Sequence, residues 1–199
     1  MTTTSDRLPM VTRADMVAGP GQGRWTYNHY AALPDDGKRY EIMHGILLRV
    51  PAPNISHQEV VGEFFSYLRA HIKLNNLGRV FVAPLDVELA PNVVVQPDIA
   101  VVLKANFDKV TEARIVGAPD LVVEVASPGT ANHDRREKYD AYARAGVLEY
   151  WIATPEARTV EVFVLDVNTY YALGIFQSKA TLPSKVLPGI TVRVEQFFL

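Results

Sequence analysis

The chain has 199 residues, of which 48% are hydrophobic and 21% charged, which is ordinary for a soluble globular protein with one buried core. It contains no cysteine, which excludes disulfides and thiolate metal sites, so a bound metal would need carboxylate, carbonyl or imidazole ligands. The formal net charge of −2 argues mildly against tight nucleic-acid binding, because proteins that wrap nucleic acid are usually basic.

Residues 1–25 predict a flexible or loosely packed leader, because the first residues are polar and Thr-rich and the stretch 19–23 is rich in glycine. We expect residues 26–199 to form a single domain. The sequence shows neither an apolar run long enough to span a bilayer nor a signal-peptide pattern. A cytoplasmic protein without membrane contact is therefore expected.

The first half of the domain combines strand and helix signals. Residues 39–50 predict a strand pair that turns at His44-Gly45. Residues 56–74 predict a long helix with Ser56 as N-cap, since Glu59 stands at the capping-box spacing and apolar residues recur at helical intervals.

Two further apolar runs, residues 79–89 and 93–103, predict the strands of one hairpin. Pro97 interrupts the second run, and proline suits an edge or bulge because it cannot donate a ladder hydrogen bond. Residues 159–165 and 169–176 predict another strand pair near the C-terminus.

The stretch 121–151 has the pattern strand, helix, strand, with strands predicted over 121–126 and 147–153 and a helix over 134–145. The residues that mark the ends of this helix are Asn132 or Asp134 as N-cap and Gly146 at the C-terminus. Together the elements predict an α+β fold, a mixed β-sheet core flanked by helices.

Asp98 and Glu124 are single acids embedded in apolar strand patterns, where an unpaired charge is costly to desolvate. If the two strands are neighbours, both carboxylates converge on one point. Paired carboxylates at a sheet end hold hard cations such as Mg²⁺ or Mn²⁺. The alternative is that either acid ends a strand in contact with water.

Lys138 lies four residues after Asp134, so the two share a helix face near the carboxyl end of the Glu124 strand. A carboxylate and a lysine at that place suggest a site, and the alternative is a surface ion pair of little consequence. His57 is either a functional histidine or a residue at the helix N-terminus.

A hydrolase triad of Ser127, His133 and Asp134 is a weaker interpretation. The three residues are too close in sequence to converge readily, and no nucleophile-elbow pattern surrounds the serine. His44 and His133 are predicted instead to be loop residues.

Several short motifs stand in an order that resembles the Uma family, restriction-endonuclease-like proteins of the PD-(D/E)XK nuclease superfamily. The motifs are Tyr40-Glu41 with Gly45, Ser56-His57, Pro97-Asp98, Glu124-Val-Ala-Ser-Pro128, Asp134 with Lys138, and Gly146-Val-Leu-Glu-Tyr-Trp151. Each motif alone is weakly specific, whereas the ordered set is fairly specific and extends from about Thr26 to the C-terminus. Where the family usually continues to an Asp-Pro pair, this chain has Thr154-Pro155.

The resemblance implies a restriction-endonuclease-like fold and a site that hydrolyses DNA phosphodiester bonds with Mg²⁺ or Mn²⁺. It implies Asp98 and Glu124 as catalytic metal ligands. The backbone carbonyl of Val125 and the carboxylate of Glu41 are further implied ligands.

The resemblance also implies a catalytic lysine, which in the superfamily stands two residues after the second acid. Ala126 occupies that place here, so Lys138 would supply the amine from the next helix. Lys138 would then orient the attacking water or stabilise charge on the phosphate, and His57 would shuttle a proton or contact the phosphate.

The leading interpretation is therefore a metal-dependent endonuclease with DNA as its substrate. The alternative is a non-catalytic module that keeps the nuclease fold to bind nucleic acid or a protein partner. A purely structural α+β protein is a third interpretation, but it leaves two buried-strand acids unexplained. A homodimer is also expected, because many nucleases cut both strands as dimers and the apolar C-terminal strands suit an isologous interface.

Overall fold

The computed structural model describes residues 10–127 and 129–198. Within these residues the strands are β1 Thr12–Arg13, β2 Arg39–Met43, β3 Ile46–Val50, β4 Gly78–Val82, β5 Val87–Ala90, β6 Val93–Val95, β7 Ile99–Leu103, β8 Ile115–Val116, β9 Leu121–Val125, β10 Glu149–Thr154, β11 Thr159–Asp166 and β12 Thr169–Gln177. The α-helices are α1 Tyr27–Ala31, α2 Ile55–Leu74 and a composite α3 made of Ala131–His133, a π-helical turn Asp134–Lys138 and Tyr139–Ala145. Short 3₁₀ turns cover Lys104–Lys109 and Val194–Phe197.

The strands form two six-stranded mixed sheets. The first sheet has the order β1-β3-β2-β6-β5-β8, and the second has the order β12-β11-β10-β9-β7-β4. The predicted α+β class, with mixed β-structure flanked by helices, is confirmed. The chain builds two such sheets where a single one was expected.

The hairpin predicted over residues 79–103 is wrong, because its strands divide between the two sheets. β4 pairs with β7 in the second sheet, and β5 pairs with β6 in the first. The chain passes between the sheets at Ala83–Asp86 and again at Gln96–Asp98. Each crossing contains a proline, Pro84 or Pro97, which cannot continue a hydrogen-bonded ladder.

Helix α2 lies against the second sheet. Its N-cap is Asn54, whose side chain accepts a hydrogen bond from the backbone N–H of His57 at 2.8 Å, so the prediction of Ser56 as the cap is wrong. The predicted apolar stripe contributes Val60, Phe64 and Leu68 to the core. This packing fixes the N-terminal turn of α2, and with it His57, close to the end of β7.

Helix α3 starts at Ala131, earlier than predicted, so Asp134 lies inside the helix and neither Asn132 nor Asp134 is its N-cap. Gly146 ends the helix as predicted, with a left-handed φ of 91° that favours glycine. The helix widens to a π turn over Asp134–Lys138, in which the backbone hydrogen bond spans five residues rather than four.

Two parts of residues 10–25 contact the first sheet. β1 pairs with β3, and Trp25 is 2% exposed in a cluster with Ile42, Leu47 and Val94 of the first sheet. Residues 1–9 of the predicted leader lie outside the described residues. In the part of the chain that is described, no helix combines the length and apolarity needed to cross a membrane.

Candidate active site

Glu124 lies on β9, and Asp98 directly precedes the neighbouring strand β7 of the second sheet. Ile99 of β7 is in register with Val123 of β9, and Asp98 is the residue just before Ile99. Asp98 is 6% exposed and Glu124 3%. Since their strands pair directly, the sequence prediction that both carboxylates meet at one place agrees with the observed register.

One oxygen of Asp98 is held by two donors. Its Oδ2 accepts the backbone N–H of Val125 at 2.8 Å and lies 3.0 Å from Nε2 of His57. The other ring nitrogen of His57, Nδ1, is buried and has no hydrogen-bond partner among the described residues. The contact through Nε2 fixes both the imidazole and the carboxylate.

Lys138 reaches the acids from α3. Its Nζ lies 2.9 Å from Oε1 of Glu124 and 3.0 Å from Oε1 of Glu41, with Asp134 Oδ1 at 3.8 Å. The lysine is only 3% exposed. The structure therefore brings Lys138 into the carboxylate cluster rather than leaving it on the helix surface.

Glu41 lies on β2, so the first sheet also contributes a residue to the site. Its Oε1 accepts the backbone N–H of Gln96 at 2.8 Å, and its Oε2 lies 3.2 Å from Nε2 of His133. Burial alone would raise the pKa of Glu41, but Lys138 and His133 together lower it to about 2. Glu41 is therefore an ionised carboxylate with both oxygens engaged.

Burial and the neighbouring charges also change the pKa values of Glu124, Asp134 and Lys138. Burial raises the pKa of Glu124 well above its usual range, and Lys138 offsets this only in part. Burial likewise raises the pKa of Asp134, to about 6. For Lys138, burial would lower the pKa, but the surrounding carboxylates raise it above its ordinary value. The ammonium is therefore held in its charged form.

Two residues of the cluster were not predicted as site residues, although Tyr142 was expected to pack beside Lys138. His133 is buried within α3, so its prediction as a loop residue is wrong, and its Nδ1 lies 2.5 Å from Glu137 Oε2. Tyr142 donates its O–H to Oε1 of Glu124 at 2.7 Å. The available signal for His133 was helical spacing, since Glu137 stands four residues after it. Tyr142 stands four residues after Lys138, which places the two on one helix face, although the contact it makes is with Glu124 on β9.

The cluster opens into a small cavity of about 30 Å³, which is enough for a water molecule or an ion. The polar residues that line it are Arg39, His57, Gln96, Asp98, Glu124, Ser127, Thr130, Asp134 and Lys138. The predicted site residues Asp98, Glu124, Lys138 and His57 thus share one wall. Glu41 and Val125 adjoin this wall through Lys138 and Asp98.

The donor chemistry of the cavity fits a hard divalent cation. Oδ1 of Asp98 and Oε2 of Glu124 take part in none of the hydrogen bonds described above, and Mg²⁺ commonly binds through one or two carboxylates while keeping several waters. Across residues 10–127 and 129–198, no group of three histidine or acid side chains is already spaced to ligate a metal. Two carboxylates completed by water therefore fit better than a closed protein cage.

The fold, two mixed sheets flanked by helices, matches that of a solved nuclease-fold protein. A crystal structure described as "a putative nuclease belonging to DUF820 from Anabaena variabilis ATCC 29413" superposes with a TM-score of 0.73, covering 87% of this chain and 97% of that chain. The two sequences are 19% identical, so this likeness concerns the fold alone.

The family model described as "Uma2: Putative restriction endonuclease" matches residues 27–195. The chain therefore belongs to the Uma2 family, as its ordered motifs indicated. Among curated proteins, none matches this chain significantly.

Proposed function

We propose that this protein is a metal-dependent endonuclease that hydrolyses DNA phosphodiester bonds. The observation that carries the proposal is the buried Lys138 ammonium, held between Glu41 and Glu124 beside Asp98 at one small cavity. Burying four ionisable groups is costly, so a purely structural role accounts poorly for them. Membership of the Uma2 family supports a nuclease.

Asp98 and Glu124 would hold the cation, Mg²⁺ or Mn²⁺, with the Val125 carbonyl as a further predicted ligand. The resemblance also implies Glu41 as a ligand, but both of its oxygens are engaged by Gln96, Lys138 and His133. When bound, the cation would lower the pKa of a water molecule and neutralise charge on the phosphate. The Val125 N–H and His57 would keep Asp98 in place, since both contact its Oδ2. Because Glu41 already contacts Lys138 and His133, its first role would be to position the lysine.

Lys138 would act as a fixed cation and hydrogen-bond donor. Since the carboxylates around it raise its pKa, the amine does not become a general base at neutral pH. Its N–H groups would instead orient the attacking water or stabilise the charge that develops on the phosphate. His57 lines the same cavity, where it would exchange a proton or contact a phosphate oxygen.

The test is a calorimetric titration of Mn²⁺ and Mg²⁺ into the wild type and the double variant Asp98→Asn/Glu124→Gln. We expect saturable binding to the wild type only. The matched control is Glu59→Gln/Glu63→Gln on α2, which removes the same charge away from the cavity and should bind the cation like the wild type. Cleavage of plasmid DNA with Mg²⁺ should follow the same pattern and should also be lost in Lys138→Met.

Cation binding that survives the loss of both acids would contradict this assignment of the ligands. DNA binding with no metal requirement and no cleavage would favour the alternative, a non-catalytic nuclease-fold module. These results are distinguishable because calorimetry measures cation binding and plasmid nicking measures cleavage of the phosphodiester bond.

A further inference from the structure

A cationic groove lies next to the cavity and crosses the end of the β2–β3 ribbon. Its volume is about 510 Å³, and its lining includes Lys38, Arg39 and Arg49 but no carboxylate among the described residues. We propose that this groove seats the phosphates of a DNA strand on one side of the bond to be cut. The inference rests on the proposed function and adds the path of the substrate backbone.

Groove and cavity meet at Arg39. Four residues line both of them, Arg39, Val50, Pro51 and Ala52. Arg39 is half-buried, and its Nε donates to the Oε1 of Gln96 at 3.2 Å, which holds the guanidinium at the junction. A DNA strand that follows the groove therefore reaches the mouth of the cavity without leaving the protein surface.

The register of β2 and β3 places Arg39 and Arg49 on opposite faces of the ribbon. Arg39 pairs with Val50, and the next pair is Tyr40 with Arg49. Since successive side chains of a strand point to opposite faces, Arg39 lies on the Glu41 face and Arg49 on the other. The cations thus lie along the groove around the end of the ribbon rather than forming one cluster.

The two arginines are not neutralised by acids. Within residues 10–127 and 129–198, neither Arg39 nor Arg49 forms an ion pair, although other arginines do, such as Arg114 with Glu88 at 2.6 Å. Lys38 pairs with Asp36, but both side chains are exposed, and such pairs exchange readily for another anion. Guanidinium groups suit phosphate because their fork of N–H donors matches its oxygens.

The groove also reconciles the net charge of −2 with a polyanionic substrate. Binding to a phosphate backbone depends on the cations at the contact surface rather than on the sum over the molecule. The acids of the cavity lie beyond Arg39, where the proposed cation would neutralise them.

The test measures DNA affinity by fluorescence anisotropy in Ca²⁺, with a labelled duplex and its single strand, over about 50 to 200 mM salt. The variant is Lys38→Ala/Arg49→Ala, which leaves Arg39 at the cavity. We expect DNA binding at least about tenfold weaker and a salt slope smaller by about 1.4 to 1.8, the value for two lost phosphate contacts.

The control is Arg69→Ala/Lys73→Ala, which removes two exposed cations from α2. Arg69 stands twelve residues after His57 on that helix, about 18 Å along its axis. This control should keep the wild-type affinity and slope. Equal losses in both double variants, no DNA binding by the wild type, or binding to RNA but not DNA would each overturn the groove proposal.

Failure of the groove and failure of the enzyme proposal give different results. If DNA binds through the groove but plasmid cleavage is absent, the groove stands and the nuclease mechanism falls. If plasmid is cut with Mg²⁺ but Lys38→Ala/Arg49→Ala binds DNA like the wild type, the mechanism stands and the groove falls.

Discussion

At the scale of single residues, Lys138 decides how the acids of the site coexist. An ammonium 3% exposed to solvent is unfavourable alone, and so is each buried carboxylate around it. Together they offset one another, with Glu41 and Glu124 at hydrogen-bond distance on either side. The lysine is thus as important to the packing of the site as to its proposed chemistry.

We expect Lys138→Met to lower the free energy of unfolding by about 3 to 5 kcal/mol, because it leaves buried carboxylates without their cation. Urea denaturation followed by circular dichroism measures the change. Lys73→Met, at an exposed position of α2, should have little effect. Equal stability of Lys138→Met and the wild type would mean that the ammonium does not compensate the acids.

Glu149 is a buried acid outside the cluster, with a structural role at the opposite end of the second sheet. It is fully buried, and its Oε2 accepts the backbone N–H groups of Lys185 and Val186, both at 2.9 Å. Its Oε1 accepts the indole N–H of Trp151 at 2.6 Å. The carboxylate thereby attaches the C-terminal segment to β10.

Glu149→Gln should destabilise the protein by about 1 to 3 kcal/mol, because an amide donor would replace an oxygen that accepts hydrogen bonds. Glu156→Gln makes the same change at an exposed turn and serves as the control. Thermal and urea unfolding of both variants give the comparison. A smaller effect at position 149 than at position 156 would contradict this role.

At the scale of elements, the π turn in α3 could not be predicted from local sequence. Spacing predicts a regular helix, whereas the observed turn has Tyr139 N–H bonded to the carbonyl of Asp134, five residues back. That carbonyl also accepts the O–H of Tyr150 from β10 at 3.1 Å. The turn thus depends on a tertiary contact, and such contacts are not visible in helical periodicity.

Two glycines at the ends of elements are required for different reasons, one for its backbone conformation and the other for lack of space for a side chain. Gly146 has a φ of 91°, but an added Cβ would meet nothing within 4 Å. Gly78 begins β4, and its Cβ would lie 2.2 Å from the carbonyl oxygen of Val102 on β7. The first position therefore restricts backbone conformation, and the second restricts the approach of two strands.

We expect Gly146→Ala to cost about 1 to 2 kcal/mol, the strain of a left-handed alanine. Gly78→Ala should cost more, because the contact is with backbone and the β4–β7 pair has to separate. Both values come from urea unfolding under the same conditions. A larger loss of unfolding free energy in Gly146→Ala than in Gly78→Ala would show that the edge strand β4 can move away from β7 at little cost.

The sequence predicted the elements better than their pairing. Periodicity and turn residues located α2, β9, β10 and the β11–β12 pair. Which strand joins which sheet depends on the faces that become buried together. Residues 79–103 alone do not show that β6 also pairs with β2 and that β7 also pairs with β9. The acids Asp98 and Glu124 were found because a charge within an apolar strand is conspicuous.

Glu41 and Lys138 were harder to place from the residues alone. Their meeting depends on the docking of β2 and α3, and motif order indicated it where local pattern did not. His133 was missed for the same reason, since its partner Glu41 lies 92 positions away along the chain.

At the scale of the whole molecule, the two sheets share a core. One apolar cluster contains Val87 and Val95 of the first sheet together with Val102, Val122 and Ile152 of the second. A shared core couples the sheets, so neither keeps its buried surface if the other unfolds.

The two tryptophans test this coupling, because Trp25 packs on the first sheet and Trp151 lies in the core of the second. In Trp151→Phe the fluorescence reports the first sheet, and in Trp25→Phe it reports the second. We expect the urea midpoint from fluorescence to equal that from far-ultraviolet circular dichroism within each variant. An earlier fluorescence transition for Trp25 would show that the first sheet unfolds separately.

Glu41, Asp98 and Lys138 are widely separated along the chain, so the members of the carboxylate cluster leave the ribosome at different times. A nascent chain that has released Glu41 and Asp98 still lacks Lys138, and β10 follows later. Under the proposed function, a half-made copy or a proteolytic fragment would therefore be inert toward the genome of the cell that makes it. Cutting would begin only when synthesis has brought both sheets and α3 together.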